Sequence, residues 1–257
     1  MRNTTAGAGR PAGVQSIARA AAVLRALERS PGGLGITELA AITELPKSTV
    51  HRIVAALAEE ELLSRPDDGR VRLGPAVSRL GAAAHEAVAE HLRPVLIELR
   101  RELDETVDLS VLDGAAARFI DQVPAPRRLR ATSSIGELFP LHCTANGKAL
   151  LAALPDEAVE ALLPPRLAQL TPQTITSRAK LLEELAQVRQ TGLAFDREEH
   201  TLGIAAVGVA IAAGEDPVAA ISVPVPAQRF GEIEAEVVAA LTAAASRARK
   251  LLSGAAT

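Results

Sequence analysis

The sequence predicts an α+β protein in two parts: a small helical head closed by a hairpin, then a body in which an antiparallel sheet is covered by helices. Three observations carry this. Helical periodicity fills most of the first 60 residues and gives way to an Asp-Gly hairpin at 62–73. The period changes to two after Asp104, and apolar runs return at 203–212 and 218–225. Finally, 257 residues that are 48% hydrophobic and 23% charged suffice for one large core or two smaller ones.

Residues 1–13, small, polar and basic, read as a flexible arm without the apolar stretch of a secretory signal. From Val14, a stripe of Ile17, Ala20, Ala21, Leu24 and Leu27 predicts a helix, stopped by Ser30-Pro31-Gly32-Gly33. A short second helix is expected with Thr37 as N-cap and Leu39, Ala40 and Ile42 inward. After a break at Glu44-Leu45-Pro46, a third helix starts at Lys47 and buries Val50, Ile53, Val54 and Leu57. The hairpin turns at Pro66-Asp67-Asp68-Gly69, with Val71 and Leu73 on one face and Arg70 and Arg72 on the other. This order of elements, 14–75, is that of a winged helix-turn-helix.

Residues 76–92 read as a linker helix that Pro94 separates from a further helix over 94–104. Residues 93–257 form the body. Strands are expected over 107–112 and 117–123 and in the two apolar runs, and helices over 147–153, 156–163, 178–191 and 231–252.

Net charge is −3, unevenly spread: residues 1–80 carry 11 Lys and Arg against 8 Asp and Glu, and the remainder 17 against 23. A basic head on an acidic body fits nucleic-acid binding by the head. With 2% aromatics and neither Trp nor Tyr, base stacking on aromatic platforms is not expected. A single cysteine, Cys143, excludes an intrachain disulfide and a cysteine-only metal site, and fits the cytoplasm. No uncharged run has the ~18 residues of a membrane span.

A recognition helix must bury one stripe and offer the other to a major groove. Lys47, Ser48, Thr49, His51 and Arg52 lie opposite the apolar stripe, the first three at the positive end of the helix, where phosphate is favoured. Arg52 suits a bidentate contact to guanine. Arg70 and Arg72 on the wing, with Arg2 and Arg10 on the arm, suit the backbone or minor groove. The plain alternative is a solvated polar face.

In the body, Pro140–Lys148 leads into a helix whose first amides suit an anion. Asp196 precedes an apolar strand, and Ser222 is a lone hydroxyl inside another. Asn146-Gly147-Lys148-Ala149 lacks the spacing of a phosphate loop, and Gly147-Lys148 reads as packing at a helix start. His142 and Cys143 are adjacent, so they point apart, and the thiol is expected to be buried. Glu198-Glu199-His200 lacks zinc spacing and reads as a solvated loop.

Four stretches, in order, give the chain a family resemblance: Val14-Gln15-Ser16-Ile17, Leu45–Arg52, Leu141–Ala149, and Phe195–His200 followed by Leu202-Gly203-Ile204. Over about residues 14–252 the chain resembles the IclR family of bacterial transcription regulators. The resemblance implies a winged helix-turn-helix, a linker helix used in dimerisation and a GAF-like effector domain. It implies as partners double-stranded operator DNA, a small organic effector (a carboxylate or aromatic metabolite) and further copies of the chain as a dimer or dimer of dimers. No cofactor or metal is implied. By resemblance the effector pocket uses Ala145, Asn146, Asp196, Ala206 and Ser222, with walls near Leu129, Ala131 and Phe139. Asn146, Ala206 and Pro224 depart from the residues usual there. The linker stripe Val77, Leu80, Ala84, Val88 and Leu92 suits pairing with a partner chain or packing on its own body. Two rivals stand beside this reading. One is a small-molecule enzyme, although no nucleophile–base–orienter set is visible. The other is a DNA-binding protein without a ligand.

Overall fold

A computed structural model describes residues 12–30, 32–131, 133–213 and 216–254. The expected arm, with Arg2 and Arg10, and Pro31 in the first turn lie outside them. The chain divides into two compact units, one ending at Ala84 and the other starting at His85.

The first unit holds α1 (Ala12–Glu28), α2 (Ile36–Thr43), α3 (Lys47–Glu59) and the hairpin β1 (Leu63–Ser64) and β2 (Arg72–Leu73). Val23, Ala26, Leu27, Leu34, Leu39, Val50, Val54, Leu63 and Val71 make its core. Ile17 is 72% exposed instead of buried: an eight-residue and a thirteen-residue helix cover only part of a seventeen-residue one. The N-cap of α2 is Gly35, not Thr37. Its N–H donates to the Glu38 carboxylate at 2.7 Å, and Ile42 turns outward. In the wing, Val71 is buried and bridges to Leu34, whereas Leu73 is exposed on a two-residue strand.

Helix α4 (Pro75–Leu103) is continuous through Pro94, against the expected break. Leu92, Val95, Leu96, Leu99 and Leu103 are buried on both sides of the proline, and Arg93 pairs with the buried Asp121. Packing outweighs the one hydrogen bond that proline removes.

The second unit is built on six antiparallel strands, β3 (Val107–Asp113), β4 (Ala116–Val123), β5 (Leu138–Pro140), β6 (Ala194–Arg197), β7 (Ile204–Ala213) and β8 (Asp216–Pro226), in the order β5-β4-β3-β8-β7-β6. Side-chain alternation sorts the faces. Odd positions of β3, β7 and β8 (Leu109, Val207, Ile221, Val223) pack on the second half of α4 and on α8 (Ala227–Gly254), which starts four residues before its sequence signal. The opposite face packs on α5 (Ala145–Ala152), α6 (Asp156–Leu162) and α7 (Arg178–Thr191). Among the described residues no helix is long and apolar enough to cross a membrane.

Candidate functional site

On α3, Lys47, Ser48, His51 and Arg52 are exposed and Thr49 is half-buried, while Val50 and Val54 are fully buried. No side chain caps the helix start, where Pro46 stands; the Thr49 amide donates to the Pro46 carbonyl at 2.9 Å, and the Lys47 and Ser48 amides are the ones left to an acceptor among the described residues. Among the described residues Lys47, His51 and Arg52 have no hydrogen-bond or ion-pair partner, which leaves that face ready for phosphates and base edges. The wing arginines are already engaged. Arg72 pairs with Asp68 across the turn at 2.6 Å. Arg70 donates from Nε to the Gly33 carbonyl at 3.2 Å and lies 3.6 Å from Glu38. Arg70 therefore ties the wing to the helices. Among the described residues the Arg72 side chain, two residues on, is held only by Asp68 of the same turn.

In the second unit, strand register assembles a cavity on the α5 side of the sheet. Asp108 stands opposite Ser222, and Ser222 opposite Gly208. On the next rung of the same face, Asp196 stands opposite Ala206, and Ala206 opposite Pro224. Gly208 lets α5 sit close: a Cβ there would lie 2.7 Å from the Ala145 carbonyl. Thr144 caps α5, accepting from Gly147 N, and Asn146 donates to Ser110 at 2.9 Å. The resulting cavity, about 230 Å³, is lined by Ala131, Phe139, Ala145, Asn146, Asp196, Ala206 and Ser222 among the residues expected from the sequence. It brings in others that sequence reading missed, chiefly Asp108, Phe119, Arg130, Ser133 and His200. Leu129 is not part of it: the residue is 65% exposed on the loop after β4. Asp196 precedes the apolar β7 as expected and itself lies in a further short strand, β6.

The cavity lining carries two carboxyls, Asp108 and Asp196, the Arg130 guanidinium and the rings of Phe119, Phe139 and His200. Burial pushes the Asp108 carboxyl up to about 6, although Gln122 and Ser133 both donate to it. Burial, with the charge of Glu199 nearby, pushes Asp196 up to about 7, although the Glu199 and His200 amides donate to its Oδ1. Phe119 meets Phe139 edge-on, and His200 stacks on Phe139 with ring centres 4.2 Å apart. An aromatic ring with a polar substituent matches such a lining.

These carboxyls predict a pH dependence. Both folded values lie above the ordinary 3.8, so their contribution to stability is fully present below that value and is lost as pH rises through about 6 and 7. Between pH 5.5 and 8 the unfolding free energy of the second unit should fall, on the order of 2 kcal/mol. Urea titrations should show the fall in the wild type, reduced in Asp108→Asn and Asp196→Asn. An unchanged slope in both variants would contradict the assignment.

Several expectations are corrected here. Glu199 is not solvated: it is 6% exposed and accepts from Lys148 Nζ at 2.6 Å. Lys148, read as mere packing, is fully buried and pairs also with Glu184. Cys143 is buried as expected, and burial pushes its thiol up to about 12. The His142 ring bonds the Ala168 carbonyl, so no nucleophile–base pair forms there. Among the described residues no group of three His, Cys, Asp or Glu is placed to hold a metal ion.

Two family models match the chain. The IclR helix-turn-helix domain covers residues 16–67, and the bacterial transcriptional regulator IclR C-terminal domain covers residues 81–249. The chain is similar to the HTH-type transcriptional regulator Rv1719 of Mycobacterium tuberculosis, 51% identical over 95% of each chain. It is also similar to the HTH-type transcriptional regulator TtgV of Pseudomonas putida, 41% identical over 79% of each. Among solved structures, an IclR homologue of Microbacterium hydrocarbonoxydans complexed with 4-hydroxybenzoate has the same fold, with a TM-score of 0.61 and 24% identity over 92% of this chain and 98% of that one.

Proposed function

The chain belongs to the IclR family of bacterial transcriptional regulators, and from that premise we propose how its residues divide the work. It regulates transcription by binding DNA through its N-terminal domain, under control of a small organic effector in its C-terminal domain. The observation that carries the reading is α3, held by a buried stripe and leaving Lys47, His51 and Arg52 without partners among the described residues. These residues, with Ser48 and Thr49, enter the major groove of a double-stranded operator in the cytoplasm. Arg72 contacts phosphate, and Arg70 holds the wing in place for it.

The effector occupies the cavity between the sheet and the start of α5, with Asp196, Asn146 and Ser222 as polar contacts and Phe139, Ala131 and Ala206 as walls. Asp108, Asp196 and Arg130 in the lining, beside Phe119, Phe139 and His200, suit a small aromatic effector with polar substituents. The protein acts as a homodimer or dimer of dimers paired through the first half of α4, where Leu80 is 62% exposed and Ala84 is exposed, whereas Leu92 is buried in its own chain. Residues 14–75 serve as the DNA-binding domain, 76–92 as the linker and 93–257 as the effector and oligomerisation domain.

Fluorescence anisotropy of the full chain on fragments upstream of its own and neighbouring genes tests this. One fragment should bind at least ~10³-fold more tightly than a scrambled duplex, and an effector should release it. Equal, steeply salt-dependent binding to both would overturn a specific regulator. On that fragment, Arg72→Ala should weaken operator and scramble alike and lower the slope of log K against log salt by about one. A loss confined to the operator would instead make Arg72 a base-reading residue.

A further inference from the structure

Lys148 heads the largest fully buried side chains among the described residues, and its ammonium is held by two carboxylates, Glu184 on α7 and Glu199 after β6. Exchanging a buried ion pair for apolar side chains of similar volume is often neutral or stabilising, so stability alone is a weak reason for this one. Its place in the chain supplies another. Two residues before Lys148, Asn146 lines the cavity; three residues before Glu199, Asp196 lines it from the opposite wall. The 2.6 Å contact between Lys148 and Glu199 thus joins both walls from behind.

The turn that carries Glu199 is built on the same cavity residues. Asp196 Oδ1 accepts from the Glu199 amide at 2.7 Å and from the His200 amide at 3.4 Å. Glu198 lies in the left-handed region at φ 63°, a conformation that a non-glycine residue keeps only when its surroundings fix it. Thr171 and Thr174 donate to the carbonyls of Glu198 and Glu199, and Glu198 itself accepts from the Gly203 amide at 2.6 Å. His200, which follows Glu199, stacks on the cavity wall at Phe139. Glu184 has no such connection: it lies on α7, part-exposed, away from the cavity lining.

We propose that Lys148 is a positioning residue for the effector cavity, acting through Glu199 to set Asp196 and His200 against Asn146. The proposal rests on the cavity being the effector site, but its test needs no effector, so either can fail alone. Two native reporters border the clamp. His200 is one of five histidines, and burial holds its imidazole below the ordinary value. Cys143 is the sole cysteine, buried and within reach of the charges of Asp196, Glu199 and Lys148.

The experiment compares two conservative variants, Glu199→Gln and Glu184→Gln, in the full chain. Imidazole resonances are titrated by NMR, and Cys143 is labelled with a disulfide reagent under native conditions. In Glu199→Gln, His200 should titrate higher, towards the ordinary imidazole value, and Cys143 should label roughly tenfold faster through local opening. In Glu184→Gln both should stay as in the wild type, and Lys148→Met should reproduce the Glu199 variant. If the two Gln variants behave alike, or if the changes only track melting temperature, Lys148 merely stabilises the fold and the proposal is overturned.

Discussion

Replacing Arg52 by alanine should reduce operator affinity by roughly 10- to 100-fold, the ~1–3 kcal/mol of one bidentate base contact, while affinity for scrambled DNA changes little. The expectation rests on the exposure of Arg52 and the absence of any partner for it among the described residues, so removing the side chain leaves the head intact. Its neighbours Val50 and Val54 hold the helix, and neither is touched by the change. Anisotropy titrations at two salt concentrations separate the effects. Loss of specific affinity with an unchanged salt slope marks base reading; a parallel loss on both duplexes would reduce Arg52 to a phosphate contact.

Gly208→Ala should be a strongly damaging one-carbon change in the second unit. The added Cβ would meet the Ala145 carbonyl at 2.7 Å and the Asn146 nitrogen at 2.9 Å, all backbone, which cannot step aside as a side-chain tip can. Overpacking of this kind costs about 1–3 kcal/mol or more, and relief requires α5 to lift from the sheet. Since Ala145 and Asn146 form one wall of the cavity, effector response should fall together with the urea midpoint. Gly231→Ala is the control. Nothing lies within 4 Å of a Cβ there, within α8, and alanine should stabilise by about 0.5–1 kcal/mol. Equal midpoints for the two variants would show that α5 does not press on β7 as described.

The head was nearly legible because its signals are local. The Lys47 helix start, the Val50–Val54 stripe and the Asp-Gly turn depend on neighbours within a few residues, and they appear where the sequence put them. What failed there was reach: Ile17, Ile42 and Leu73 have the right period, but short partners leave them uncovered. In the body, Asp196 and Ser222 stood out as polar residues beside apolar strands, and both line the cavity. Asp108 gave a weaker signal, since it alternates with Val107 and Leu109 as a solvent-facing residue would. Leu129 looked like a wall residue, yet it lies exposed on a loop whose path no periodicity predicts.

By itself, then, the sequence determined most element types (the short strands β5 and β6 excepted), the two-part organisation and the exposed polar face of α3, because helix and strand periods and turn residues are properties of adjacent positions. Tertiary structure alone decided which strands are neighbours. That choice set Ser222 between Asp108 and Gly208, placed Asp196 one rung away, and buried Lys148 against Glu199, 51 positions later in the chain. It also carried α4 through Pro94, where apolar packing on both sides of the ring outweighs a local preference to stop. Contacts between distant segments depend on strand register and on what a sheet face must cover, and no window along the chain contains that information.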